Sequence, residues 1–154
     1  MSTPMTSSLH ILCPACDQVN RVPSARLGEE PQCGHCREPL FRRHPLALSG
    51  ARFERHLNRS GLPLLVDFWA PWCGPCRSMA PAFEAAAIRL EPGVRLVKVN
   101  TDEDQSLAQR FGIRGIPTLV LFQDGRELDR ISGAMQTEQL VTWTQQALAR
   151  RHAG

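Results

Sequence analysis

The stretch Val66-Asp67-Phe68-Trp69-Ala70-Pro71-Trp72-Cys73-Gly74-Pro75-Cys76-Arg77 decides the fold. Its first half is an apolar run bounded by turn residues, which reads as a buried strand. Pro71 and the Gly74-Pro75 pair turn the chain, and an amphipathic pattern then opens. Two cysteines therefore sit at the mouth of a helix, two residues apart. That spacing can close a short disulfide, and beside a βαβ pattern it reads as a redox motif. The remainder of the chain can be read as what holds, tunes and feeds this pair.

The strand extends back to Leu62 as a nearly unbroken apolar run over 62–70, as suits a central strand buried on both faces. The helix runs from Cys73 to Leu90, with Met79, Phe83, Ala86, Ala87 and Leu90 at helical spacing and a kink expected at Pro81. Glu91-Pro92-Gly93 stops it. Val94 to Asn100 is a strand with Arg95 and Lys98 as its polar members. Thr101-Asp102-Glu103-Asp104 offers an N-cap and acidic first turn for a helix to about Phe111. Thr118–Gln123 and Arg126–Ser132 are strands joined by a hairpin at Asp124-Gly125. A last helix covers Thr137 to Arg151, with Leu140, Trp143, Ala147 and Leu148 inward and Arg150 and Arg151 at its negative end. Upstream, Phe53 and Leu57 mark a short helix over 51–58 that Gly61 ends. The expected class is α/β: a mixed central sheet, parallel in its β-α-β-α-β half, with antiparallel edge strands from the hairpin and helices on both faces.

The front of the chain is different. Cys13-Pro14-Ala15-Cys16 and Cys33-Gly34-His35-Cys36 are separated by 16 residues. This C-x2-C-x16-C-x2-C spacing fits a four-cysteine zinc site, in which two tight knuckles complete a tetrahedron of thiolates. The segment 9–41 is too short to bury a self-sufficient core and needs such a staple. Cys33-Gly34-His35-Cys36 alone also spells the tetrapeptide of protein disulfide isomerases, but no apolar strand precedes it and no amphipathic helix follows. His10, His35 and His44 could replace a cysteine as ligand, although four thiolates already fill the sphere. The expected organisation is a flexible tail over 1–8, a zinc-ribbon domain over 9–41, a linker over 42–45 and a redox domain over 46–154.

The whole chain has 154 residues and a net charge of +3, which is modest and spread out, so nucleic acid is an unlikely partner. No apolar run approaches the length of a membrane helix. The first ten residues lack a charged start and an apolar core, so no secretory signal is expected and the cytoplasm is. Six cysteines in a reducing compartment call for metal or redox chemistry rather than structural bridges.

With the Trp72-Cys73-Gly74-Pro75-Cys76 box in place, residues 46–151 resemble thioredoxin. Val66–Ala70, Pro81, Lys98-Val99-Asn100, the run Phe111-Gly112-Ile113-Arg114-Gly115-Ile116-Pro117-Thr118, and Gly133 carry the resemblance, in the right order. The cysteine-rich front makes the chain similar to the zinc-containing thioredoxin 2 class. The resemblance implies a thioredoxin fold and dithiol–disulfide exchange with oxidised client proteins. It also implies re-reduction by a flavin- and NADPH-dependent thioredoxin reductase, and a part in cell redox homeostasis and oxidative stress defence. No organic cofactor is expected on the chain itself. One Zn2+ is, as a structural staple or a redox-sensitive one.

Cys73 is the expected nucleophile, first in the box at an exposed helix mouth. Backbone N–H groups and the helix dipole favour its thiolate. Gly74 and Pro75 add no charge between the thiols. Cys76 is the resolving residue, one turn in and more buried. Asp67, in the apolar strand before the box, is the candidate to take its proton, directly or through a water. Burial should raise its pKa toward the working range, although a structural aspartate bonded to backbone fits the position too. Lys98 can neighbour it from the next strand or be a surface lysine. By resemblance Ile116–Pro117 is cis and lies against the disulfide, presenting the Ile116 backbone to an extended client. Trp72, Gly115, Ile116, Gly133 and Ala134 would form the contact surface, while Phe68, Trp69, Phe83 and Trp143 are read as core. Two rivals stand beside a disulfide reductase: a more oxidising isomerase, and a zinc-binding adaptor or holdase.

Overall fold

The computed structural model describes residues 7–153, with side chains as far as Arg150; the first six residues of the expected tail lie outside the described residues. A two-stranded antiparallel ribbon, β1 (Ser8–Leu12) and β2 (Val19–Pro23), is followed by a 3-10 helix over Ser24–Glu29. Then come β3 (Leu46–Ala47), α1 (Gly50–Arg59), β4 (Leu64–Trp69), α2 (Gly74–Leu90), β5 (Arg95–Asn100), α3 (Gln105–Arg110), β6 (Thr118–Gln123), β7 (Arg126–Ser132) and α4 (Thr137–Ala153).

These later strands form one sheet in the order β3-β5-β4-β6-β7, with β4 at its centre. β3, β5 and β4 run parallel, and β6 and β7 antiparallel to their neighbours. This is the expected mixed sheet, with one difference. β6 is interior, hydrogen-bonded to β4 as well as β7, so only β7 of the hairpin is an edge.

Side chains on a strand alternate between faces, and this divides the apolar runs between two cores. Leu64, Val66 and Phe68 of β4, Val97 and Val99 of β5, and Val120 and Phe122 of β6 meet α1 and α3. Leu65, Leu96, Leu119 and Leu121 meet α2 and α4 through Met79, Phe83, Ala86, Leu140 and Val141. Phe53, Phe111 and Phe122 pack edge to face, with centroids 5.1–6.3 Å apart. Such pairs add about 0.5–1.5 kcal/mol each beyond burial. β4 thus faces both cores, while α2 covers the second alone.

Three local expectations change. The acidic run after β5 is mostly turn, because Asp104 alone caps α3, accepting from Leu107 N at 3.2 Å, and that helix has six residues. Arg95, read as a polar strand position, is 3% exposed and donates into the ribbon. Gly61, read as a helix stop, lies where β1 touches the redox domain: its N–H donates to His10 O at 2.7 Å.

A Cβ on Gly61 would stand 2.8 Å from the His10 nitrogen and 3.0 Å from its oxygen, both rigid backbone. Gly61→Ala should therefore lower unfolding free energy by about 1–3 kcal/mol, as overpacking does, read from urea melts. Gly28→Ala, whose Cβ meets nothing within 4 Å, should leave the midpoint where it was.

Candidate functional site

Cys73 and Cys76 are joined in a disulfide at the amino end of α2, with Cα atoms 5.2 Å apart. Cys73 is the N-cap, and its sulfur accepts the Cys76 N–H at 3.2 Å. Pro75 suits the first helical turn, where its missing N–H removes no intrahelical bond. Gly74 and Pro75 are exposed, and the Gly74 Cβ position is open. The helix therefore aims a backbone donor and its positive end at the Cys73 sulfur.

Cys73 was expected at an exposed mouth but is only 5% exposed, against 2% for Cys76. Both pack with Ala70, Trp69 and Ile116. The Ile116–Pro117 peptide is cis, and the Ile116 carbonyl oxygen lies 3.7 Å from Cys73 Sγ. Pro117 is buried, and its carbonyl accepts the Gly133 N–H at 2.9 Å. That bond ties two expected contact segments together; Gly115, Gly133 and Ala134 are exposed and Ile116 is half-buried. Trp72 is 67% exposed, and its indole N–H donates to Asp102 Oδ1 at 3.2 Å. A groove of about 360 Å³ lies beside this pair, lined by Trp72, Asp102, Gln105, Ile113, Arg114 and Ile116. Asp102 was read from the sequence only as part of a helix cap. Its bond to a residue 30 positions away has no local signature.

Asp67 is 1% exposed, and neither carboxylate oxygen has a hydrogen-bond partner among the described residues. Alternation along β4 puts it on the Leu65 face, the side covered by α2. Burial pushes its pKa up to about 7 from an ordinary 3.8, and the nearby Lys98 charge pulls the other way. Lys98 is Asp67's register partner on β5, with its ammonium 4.3 Å from the centre of the Trp69 ring. The reading of Asp67 as a structural residue bonded to backbone therefore does not describe this carboxyl group. Phe68 and Phe83 are fully buried core residues, whereas Trp69 and Trp143 are half-buried.

The other four cysteines converge. The sulfurs of Cys13, Cys16, Cys33 and Cys36 all lie within 4.8 Å of one another, with Cys13–Cys36 at 3.5 Å and Cys16–Cys33 at 3.7 Å. Four thiolates at about 2.3 Å from a tetrahedral zinc stand about 3.8 Å apart, so the cluster has the right dimensions. Backbone N–H groups of Ala15 and His35 point at Cys13 and Cys33 sulfurs, each at 3.3 Å, which favours the anionic form zinc requires. The two knuckles are built alike. Asp17 N donates to Cys13 O and Arg37 N to Cys33 O, both at 2.9 Å, and Asp17 and Arg37 both have positive φ. Among the described residues no histidine belongs to this cluster. The donor set fits zinc, which would staple the ribbon.

Comparison with known proteins agrees with this geometry. Residues 44–146 match the family described as Thioredoxin, and residues 12–38 the family described as Thioredoxin 2, N-terminal. Thioredoxin C-3 of Corynebacterium nephridii is 41% identical over 138 residues, covering 90% of this chain and 94% of that one. Thioredoxin 1 of Synechococcus elongatus is 49% identical over 89 residues, 58% of this chain and 83% of its own. Among solved structures, a mutant thioredoxin from Halobacterium salinarum NRC-1 superposes with a TM-score of 0.60 at 33% identity, over 66% of this chain and 88% of that one. Among the described residues no helix is long and apolar enough to cross a membrane. The chain belongs to the thioredoxin family, as a thiol–disulfide oxidoreductase with an amino-terminal zinc-ribbon segment.

Proposed function

We propose that this chain is a general protein-disulfide reductase. The observation that carries the reading is the Cys73 sulfur, capped by a helix N–H and flanked by the Ile116 carbonyl. In the reduced protein the Cys73 thiolate attacks one sulfur of a client disulfide. That S–S bond breaks, a mixed disulfide forms, and one client thiolate leaves. Cys76 then loses its proton and attacks the Cys73 sulfur. The mixed disulfide breaks, the second client thiolate leaves, and two electrons have passed from the dithiol to the client. Asp67 accepts the Cys76 proton, a role that its pKa of about 7 suits near neutral pH. Gly74 and Pro75 keep the helix mouth open and uncharged.

The client lies as an extended segment against the Ile116 backbone, beside Pro117. Trp72, Gly115, Ile116, Gly133 and Ala134 form its seat. Electrons return from NADPH through a thioredoxin reductase, in the cytoplasm, in the service of redox homeostasis and defence against oxidative stress. Cys13, Cys16, Cys33 and Cys36 hold one structural zinc.

Insulin reduction with NADPH and thioredoxin reductase tests this reading. The parent chain should turn over, and Cys76→Ser should accumulate a mixed disulfide visible on non-reducing gels. A Cys76→Ser chain that completes turnover at the parental rate would contradict the assigned order. Equilibration against a glutathione series separates a reductase from an isomerase by its lower potential.

A further inference from the structure

The two knuckles of the cysteine cluster are alike in backbone but not in what holds them. The second is braced from within the ribbon. Asn20 Oδ1 accepts the Gly34 N–H at 2.9 Å, and Asn20 Nδ2 donates toward the Cys33 sulfur at 3.5 Å. The first is gripped from the redox domain. Arg52 of α1 donates twice to the Asp17 carboxylate, at 2.7 and 2.9 Å, and once to Pro14 O at 3.2 Å. Arg55 donates to Asp17 O at 2.8 Å, and His56 Nε2 lies 2.9 Å from Asp17 Oδ1. Below them, the buried Arg95 at the start of β5 donates to Leu12 O and Leu40 O, each at 2.9 Å. Leu12 directly precedes Cys13, so this bond holds the entry to the first knuckle. Among the described residues, the side chains of Arg21, Arg26 and Arg37, the ribbon's own cations, make no bond to either knuckle.

Four thiolates around a divalent cation carry a net charge of −2. On the redox-domain side stand Arg52, Arg55 and Arg95, with Asp17 pairing the first and the buried Glu91 the last. Residues behind metal ligands fix their orientation, and losing one commonly costs 10- to 100-fold in metal affinity.

We propose that the redox domain supplies the outer shell of the four-cysteine centre. Arg52, Arg55, His56 and Arg95 act as positioning residues for the Cys13–Cys16 knuckle, so zinc retention belongs to the whole chain and not to the ribbon alone. The inference rests on the zinc reading above. By linkage the grip works in both directions: zinc fixes the knuckle that α1 holds, so its removal loosens the ribbon on α1. The redox disulfide lies at the other end of β4, about 17 Å along the strand, and stays clear of the ribbon.

The test uses the full-length chain and the half-exposed Asp17–Arg52 pair, whose loss leaves the buried Arg95 in place. Zinc content is measured first, then the rate of zinc release to excess chromogenic chelator, for the parent, Arg52→Gln, Asp17→Asn and the double variant. Each single change should speed release roughly 10- to 100-fold, and the double variant should add little to either. Val141→Ala, buried in the opposite core, controls for general loss of stability. Hydrogen exchange over Gly50–Arg59 should quicken when the parent is stripped of zinc.

A parent that binds no zinc ends both readings. A parent that binds zinc, with variants that release it at the parental rate, overturns this inference alone. So does acceleration no greater than that of a Val141→Ala chain of equal stability, or unchanged exchange in α1.

Discussion

The Cys73→Ser chain should reduce insulin no faster than background, a loss of roughly 10³-fold or more, as expected when an enzyme loses its nucleophile. The helix end that stabilises a thiolate offers one backbone N–H and part of a dipole to the Cys73 position. That is worth about 1–2 kcal/mol, enough to help ionise a thiol whose ordinary pKa is about 8.5. It falls far short of what a serine hydroxyl needs to ionise at neutral pH. Yet Cys73→Ser should still bind unfolded clients, because Trp72, Gly115, Gly133 and Ala134 are exposed regardless of the sulfur. Turnover measured beside client binding therefore separates chemistry from docking. Residual reduction by Cys73→Ser within tenfold of the parent would remove Cys73 as the attacking group, whereas full binding without turnover is the expected pattern.

The second large effect concerns Asp67. Its folded pKa of about 7 lies above an ordinary value of 3.8. Below pH 4 both folded and unfolded chains hold the proton, and the group does not affect stability. Between pH 4 and 7 the folded chain keeps a proton that the unfolded chain has released, so stability falls as pH rises. Above pH 7 the folded state carries a buried carboxylate with no hydrogen-bond partner among the described residues, and the penalty is complete, at about 4 kcal/mol. The difference in unfolding free energy between Asp67→Asn and the parent, both as the disulfide, should therefore rise by about 4 kcal/mol from pH 4 to pH 8.5. Urea melts across that range measure it directly. The same variant should slow release of the client from the mixed disulfide by about 100-fold near pH 7, the lower end of general-base contributions. A flat difference would mean that Asp67 ionises normally; a sloping difference with unchanged release would leave it a buried charge without a part in proton transfer.

Much of this was legible in one dimension. β4 shows as an apolar run, α2 as helical spacing after it, and the Asp124-Gly125 hairpin as a turn between two strands. Each signal spans fewer than twenty residues and follows from backbone periodicity. The two classes of cysteine separated by spacing alone, because a metal knuckle and a helix-mouth disulfide place different demands on their flanks. The Ile116–Pro117 loop and Gly133 were found through resemblance, since nothing local says that they meet the box.

What the sequence determined without help was thus the order of elements and the kind of chemistry each cysteine group can do. Only the tertiary structure decided which polar residues carry the special environments. Arg95 was legible only as a polar member of a strand and is buried against Leu12 and Leu40, which precede it by 83 and 55 positions. Asp17, which nothing in the sequence singled out, is the anchor gripped by α1. Gly61 looked like a helix stop and is the point where β1 comes too close for a side chain. The reason is physical: periodicity and spacing report how a chain pairs with its near neighbours, whereas burial of a charge depends on surfaces brought together across dozens of residues, which leave no local pattern to read.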